Sequence, residues 1–221
     1  MSEEQWTAVD RYITDALVPS DEVLDAALAS SAANGLPAIN VAPNQGKLLH
    51  VLARSIGARR ILEVGTLGGY STIWLARALA ADGKLITLEY EPRHADVARA
   101  NIERAGLAHL VEIRLGKAID TLPRIAAEGG APFDLVFIDA DKPGNADYFA
   151  WAVTLTRVGG LIIVDNVVRK GAVLDADGDA NAQGSRRLIE SMAKEKRVSS
   201  TAVQTVGSKG YDGFAIAVVI G

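Results

Sequence analysis

The 221-residue sequence contains no cysteine. Disulfide scaffolds, thiolate zinc sites and cysteine nucleophiles are therefore excluded together. It has no apolar run near the ~18–20 residues that span a bilayer. Its first twelve residues, MSEEQWTAVDRY, carry acids where a signal peptide carries bases. The expectation is a soluble, cytoplasmic protein with no membrane partner. Basic charge is scarce: 23 Lys and Arg stand against 27 Asp and Glu, a formal net charge of −4. Phosphate neutralisation needs clustered Lys and Arg, so no nucleic-acid partner is expected. The three histidines, His50, His94 and His109, are too scattered to form a ligand set. No internal repeat or low-complexity tract interrupts the chain. What remains, 49% apolar and 23% charged, is the composition of a globular protein with one large core.

The first third reads as helix. Ser20 is placed to cap a second helix whose first turn holds Asp21 and Glu22, with Val23, Leu24, Ala27 and Leu28 at helical spacing and Gly35 as its stop. Pro43 suits the first turn of a third helix, with Leu48, Leu49, Leu52 and Ile56 as its buried stripe. From Arg60 the rhythm changes. Strands over 61–64, 84–88, 110–115, 133–138 and 161–164 alternate with helices over 71–81, 93–105, 118–127 and 146–156. That alternation means βαβ units and a parallel sheet covered by helices on both faces. The runs FDLVFI and GLIIV are nearly all apolar, as central parallel strands must be. After a helix near 183–196, runs over 201–206 and 214–220 read as an edge hairpin turning at Gly210, Tyr211, Asp212 and Gly213. The fold class is α/β, a Rossmann-like doubly wound sheet of seven strands, mostly parallel with an antiparallel edge strand. Residues 1–42 form an extra helical segment and 43–221 the core of one domain.

The loop after the first strand, LEVGTLGGYS, is rich in glycine, which permits a tight turn and close approach of a ligand. In such sheets ligands bind beyond the carboxyl ends of the strands, where this loop lies. A plain strand-to-helix turn would also use glycine, so the glycines alone do not make a site. Its spacing is G-x-x-G-G, not the G-x-G-x-x-G of dinucleotide folds, and Glu63 sits within the strand's end. Glu89 ends the next strand, placed to accept hydrogen bonds from two ribose hydroxyls. An adenosine ligand without a pyrophosphate fits, and S-adenosylmethionine is one.

Asp139 follows the fourth strand in IDADK, and Asp165 and Asn166 follow the fifth in VDN. Neighbouring strands lie ~5 Å apart, so these oxygens converge on one rim. Such donors suit a hard divalent cation, Mg²⁺ foremost with Ca²⁺ or Mn²⁺ as alternatives, which keeps positions for water or substrate oxygens. Any one of them alone would be explained by helix capping.

Together the glycine loop, the Asp-Ala-Asp-Lys stretch and the Val-Asp-Asn stretch resemble the cation-dependent, S-adenosylmethionine-dependent O-methyltransferases of the caffeoyl-coenzyme-A and catechol type. The similarity runs from about Ile39 to the C-terminus and is looser before it. It implies that Val41, Glu63, Gly65, Thr66 and Ser71 contact the methionine part of the cofactor, with Gly69 and Tyr70 beside them. It implies Glu89 on the ribose and Ala118 by the adenine. Asp139, Asp165 and Asn166 would hold the metal, with Asp139 and Asp141 also near the cofactor. Lys142, with Asp139, would be the catalytic group beside the hydroxyl of a small phenolic substrate. The resemblance, and helical stripes at the N-terminus that need covering, also imply a homodimer. Chelation of a vicinal diol would stabilise and orient a phenolate that is a poor nucleophile as the free phenol.

Other signals are weaker. Asp175, Asp177 and Asp179 lack the glycine position and closing Glu of an EF-hand. Residues 167–182 read as an acidic lid. Tyr211 and Asp212 would reach the substrate from the edge turn. Two alternatives stand: a dinucleotide oxidoreductase, against which the glycine spacing speaks, and a non-catalytic S-adenosylmethionine-binding module, which would not need the metal and lysine set.

Overall fold

Five parallel strands and a hairpin form one seven-stranded sheet in a computed structural model that describes residues 2–19 and 21–221. The strands are β1 (Arg60–Val64), β2 (Lys84–Glu89), β3 (Val111–Leu115), β4 (Phe133–Ile138), β5 (Thr156–Asp165), β6 (Val198–Gly207) and β7 (Gly210–Val219), in the order β3-β2-β1-β4-β5-β7-β6. The first five are parallel, and β7 inserts antiparallel between β5 and β6. Strand order reverses at β1 and β4, whose carboxyl ends define the crevice.

The two-residue period of a strand sorts the core. Ile61, Leu85, Leu135, Phe137 and Ile163 pack on one face, against helices α2 (Glu22–Ala33), α3 (Pro43–Ser55), α4 (Tyr70–Ala76) and α5 (Pro92–Arg104). Leu62, Val64, Ile86, Val136, Ile138, Ile162 and Val164 pack on the other, under α6 (Ala118–Ala127), α7 (Asn145–Leu155) and α8 (Ala180–Lys194). Both faces are covered, which is why the central strands carry no alternation of polar residues. Glu63 and its register partner Thr87 are buried polar exceptions, and Glu63 bonds to Ser71 and Thr72 of α4.

Several local expectations change. Ser20 lies outside the described residues. Asp21 caps α2, accepting from the N–H of Val23 at 3.0 Å and of Leu24 at 3.2 Å. Asp21 also takes both Arg77 nitrogens, at 2.8 and 3.1 Å, which ties α2 to the end of α4. The buried stripe of α3 is Gly46, Leu49 and Ala53, and Leu48 is 37% exposed. The hairpin turns at Ser208 and Lys209, because Gly207 pairs with Gly210 and Gly210 takes φ +88°. Tyr211 and Asp212 are therefore residues of β7, opposite Val206 and Thr205. The segment after β5 folds as a short 3₁₀ stretch, Arg169–Leu174, before α8. Helix α1 (Glu3–Leu17) lies on α3 and β6 and buries no residue fully. No helix among the described residues is long and apolar enough to cross a membrane.

Candidate active site

Above the carboxyl ends of β1, β2 and β4 lies a cavity of about 1060 Å³. The glycine loop forms its floor. Gly65 has φ +101°, and a Cβ there would stand 2.1 Å from the Asp139 carbonyl oxygen. Only glycine lets β1 and β4 leave the sheet this close together. Gly69, at φ +82°, is the N-cap of α4 and does not line the cavity. The loop is held from behind by Asn101 of α5. Its buried amide donates to the Gly68 carbonyl at 2.8 Å and to Ala27 of α2 at 3.3 Å, which joins the N-terminal helices to the floor.

Of the residues singled out for the cofactor, Val41, Gly65, Thr66, Tyr70, Ser71, Glu89, Ala118, Asp139 and Asp141 all line the cavity. Glu89 is fixed by four backbone N–H groups: Thr66 and Leu67 at 3.2 and 2.8 Å, Tyr90 and Glu91 at 2.9 Å. His94 stands 3.6 Å from its Oε1 and also lines the cavity, a position the sequence reading left out of the site.

Glu63 is placed differently. It is wholly buried behind the wall, and its oxygens accept from the hydroxyls of Ser71 and Thr87 at 2.7 Å and from Thr72. Burial outweighs these bonds and, with the charge of Asp139, pushes its carboxyl up to about 7. Its visible work is to fix the start of α4.

The ends of β4 and β5 deliver the oxygen set, of which Asp139 and Asn166 line the cavity and Asp165 does not. Asp139 accepts from Lys142 Nζ at 2.9 Å, and Lys142 is 7% exposed. Asp165 is buried at the end of β5. It accepts from the Asn166 N–H at 2.8 Å and from Gln45 Nε2 at 2.7 Å, a partner from α3 that the sequence did not reveal. Burial first, then the negative charge of Asp139, raises the Asp165 carboxyl well above the carboxylate range, with Lys142 opposing. Asn166 adopts φ +57° and lines the cavity. Among the described residues no three His, Cys, Asp or Glu gather as a metal cluster, so the set is two carboxylates completed by an amide. Two carboxylates and an amide oxygen at the ends of neighbouring strands are hard oxygen donors of the kind a divalent cation takes.

The remaining residues have supporting places. Asp141 accepts from the Tyr148 hydroxyl at 2.6 Å and from the Gly144 N–H at 3.2 Å. Helix α8 presses on the lysine segment: a Cβ at Gly184 would lie 2.2 Å from the Lys142 carbonyl oxygen. Tyr211 and Asp212 do not line the cavity. Tyr211 donates its hydroxyl to Gln204, and Asp212 accepts from the N–H groups of Val168, Arg169 and Gly213 at 3.1, 2.8 and 2.9 Å. Asp212 thus anchors the loop after β5 instead of facing the cavity.

A seven-stranded sheet of this order, with a glycine loop after β1 and an acid ending β2, defines the class of Rossmann-like methyltransferases. A sequence profile described as O-methyltransferase matches residues 15–216. Catechol O-methyltransferase of Niastella koreensis is 53% identical over 99% of this chain and 100% of its own. The O-methyltransferase from Bacillus cereus, solved in complex with SAH, superposes with a TM-score of 0.97 at 56% identity, covering 99% of this chain and 100% of that one. TomG of Streptomyces achromogenes, solved with SAM, gives 0.96 at 51% identity and full coverage of both chains, 100% each. The chain belongs to the O-methyltransferase family and is an S-adenosylmethionine-dependent enzyme of that family.

Proposed function

We propose that this enzyme methylates one hydroxyl of a vicinal diphenol and that it does so with a divalent cation, Mg²⁺ foremost. The observation that carries this is the rim set of Asp139, Asp165 and Asn166 at the ends of β4 and β5, with Lys142 bonded to Asp139. Asp139, Asp165 and Asn166 would hold the cation. When bound it would supply Lewis-acid stabilisation of a phenolate and a template for two adjacent oxygens.

The chain's own residues do the rest. Lys142 Nζ would take the proton of the reacting hydroxyl, and Asp139 Oδ1 both aims the amine and stabilises the ammonium that results. Gln45 fixes the Asp165 carboxyl, and the pressure of α8 at Gly184 holds the Lys142 backbone in place. Val41, Thr66, Tyr70 and Ser71 would line the methionine part of the methyl donor, with Glu89 on its ribose and Ala118 by its adenine. A sulfonium and a phenolate lose their opposite charges in the transfer, so alignment supplies much of the rate.

The test is a methyl-transfer assay with S-adenosylmethionine, Mg²⁺ and paired catechols and monophenols, read by mass spectrometry. Methylation of the catechols alone, abolished by chelator and restored by Mg²⁺, is expected. Transfer that ignores chelator would remove the cation from the reaction, and equal transfer to monophenols would remove the diol.

A further inference from the structure

We propose that Arg169 is a specificity-determining residue and that the acceptor is a vicinal diphenol bearing a carboxylate. The inference rests on the diphenol reading above and names the substituent that reading leaves open. Arg169 is half-buried and lines the cavity, as do Asn166, three residues before it, and Lys142. Its backbone is held in the left-handed region, φ +53°, followed by Lys170 at +55° and Gly171 at +88°. Asp212 secures that conformation by accepting the Val168 and Arg169 N–H groups. The left-handed turn sets Arg169 on the cavity wall, and the carboxylate that secures the turn is already taken up by backbone donors.

Among the described residues the Arg169 guanidinium has no hydrogen-bond or ion-pair partner, although acids are close by. Asp139 is bonded to Lys142, and Asp141 to Tyr148 and Gly144. Glu89 is taken up by four backbone N–H groups. A half-buried guanidinium at the wall of a largely apolar cavity, with no partner of its own, is a ready site for an anion. Its planar fork matches a carboxylate in two parallel hydrogen bonds.

The rim repeats the sign. Lys170 passes beside Gly210, and Lys209 Nζ donates to the carbonyl of Ala38, which also lines the cavity, at 3.0 Å. The nearby acid Asp10 is bonded to Asn44 and to the Ser208 N–H. Arg169, Lys170 and Lys209 thus bring three cations to the neighbourhood of the β6–β7 turn in a chain of net charge −4. A dihydroxybenzoate or dihydroxycinnamate would be held at two points, its diol at Asp139, Asp165 and Asn166 and its carboxylate at Arg169. Two-point binding also decides which hydroxyl faces Lys142.

The experiment compares kcat/KM and the ratio of the two methylated isomers for a carboxylate catechol and for its neutral carboxamide. Wild type, Arg169→Met and Arg169→Lys are assayed, with S-adenosylmethionine binding by calorimetry as the check on folding. Wild type is expected to prefer the acid. Arg169→Met lowers the acid-to-amide ratio roughly tenfold or more, the scale of one charge-assisted pair, mainly through KM. Its isomer ratio shifts for the acid and stays put for the amide, and Arg169→Lys restores part of the preference. An unchanged acid-to-amide ratio in Arg169→Met overturns the proposal, and so does a wild-type preference for the amide. The second comparison needs no variant. Wild type that methylates neither compound refutes the diphenol reading itself, a result distinct from methylation of the amide alone.

Discussion

Replacing Glu63 by Gln is expected to flatten the pH dependence of stability. The carboxyl is fully buried and its pKa rises from 4.5 to about 7, chiefly because burial penalises the anion. Below about pH 4.5 the folded and unfolded states are both protonated and the full stability is present. Between 4.5 and about 7 the unfolded chain has lost this proton and the folded chain has kept it. Folding then takes up a proton, so stability falls as pH rises through that window and levels off above it. At about 1.4 kcal/mol per pH unit the loss is about 3 kcal/mol, a large share of a typical 5–15 kcal/mol. Gln has the same shape and no charge to lose. Its carbonyl oxygen would keep Thr72 and Thr87, and its amide would donate to Ser71, whose hydroxyl turns to accept. Urea unfolding of both proteins at several values between about pH 5 and pH 8 measures the difference. His50, whose pKa burial lowers, titrates in both proteins and cancels. The variant is expected to gain up to about 3 kcal/mol on wild type across the window. A difference that stays constant would refute the reasoning, by showing that the three hydroxyls hold Glu63 as an anion at neutral pH.

Gly65→Ala is expected to cost about 3 kcal/mol or more, since it adds left-handed strain to a Cβ driven into the Asp139 carbonyl. Calorimetry should show weakened S-adenosylmethionine binding in the same variant, and wild-type stability with wild-type binding would contradict the close approach of β1 and β4. Lys142→Met is expected to lower kcat by roughly 10²–10⁴ with little change in cofactor affinity. A variant retaining most of its kcat would show that another group takes the proton.

Much of the site was legible because it rests on chain-local features. Parallel strands buried on both faces must be apolar runs, so β1 to β5 announced themselves, and whatever follows such a run lies on the carboxyl rim. Glu89, Asp139, Asp165 and Asn166 were found by that rule alone. Gln45, Asn101 and Gly184 were missed because each acts through a partner far away in the chain, and His94 and Arg169 because only the folded chain shows what lines the cavity. Asp212 was picked for the wrong task. As an assumed turn residue it faced the substrate, whereas as a residue of β7 it binds the backbone of the loop after β5. Leu48 fitted a helical stripe and still faces outward, since the stripe that packs on α4 is centred on Gly46, Leu49 and Ala53.

The sequence by itself determined the βαβ rhythm, the glycine loop, the acids at the strand ends and the family they mark. Those features depend on periodicity and on residues adjacent in the chain. The tertiary structure alone decided that Glu63 anchors α4 from behind the cavity wall and that the charge of Asp139 raises the cost of ionising Asp165. It alone decided that Arg169 faces the cavity without a partner. Burial and electrostatics depend on distance in space, and no spacing along the chain encodes which side chains a fold will leave facing one another.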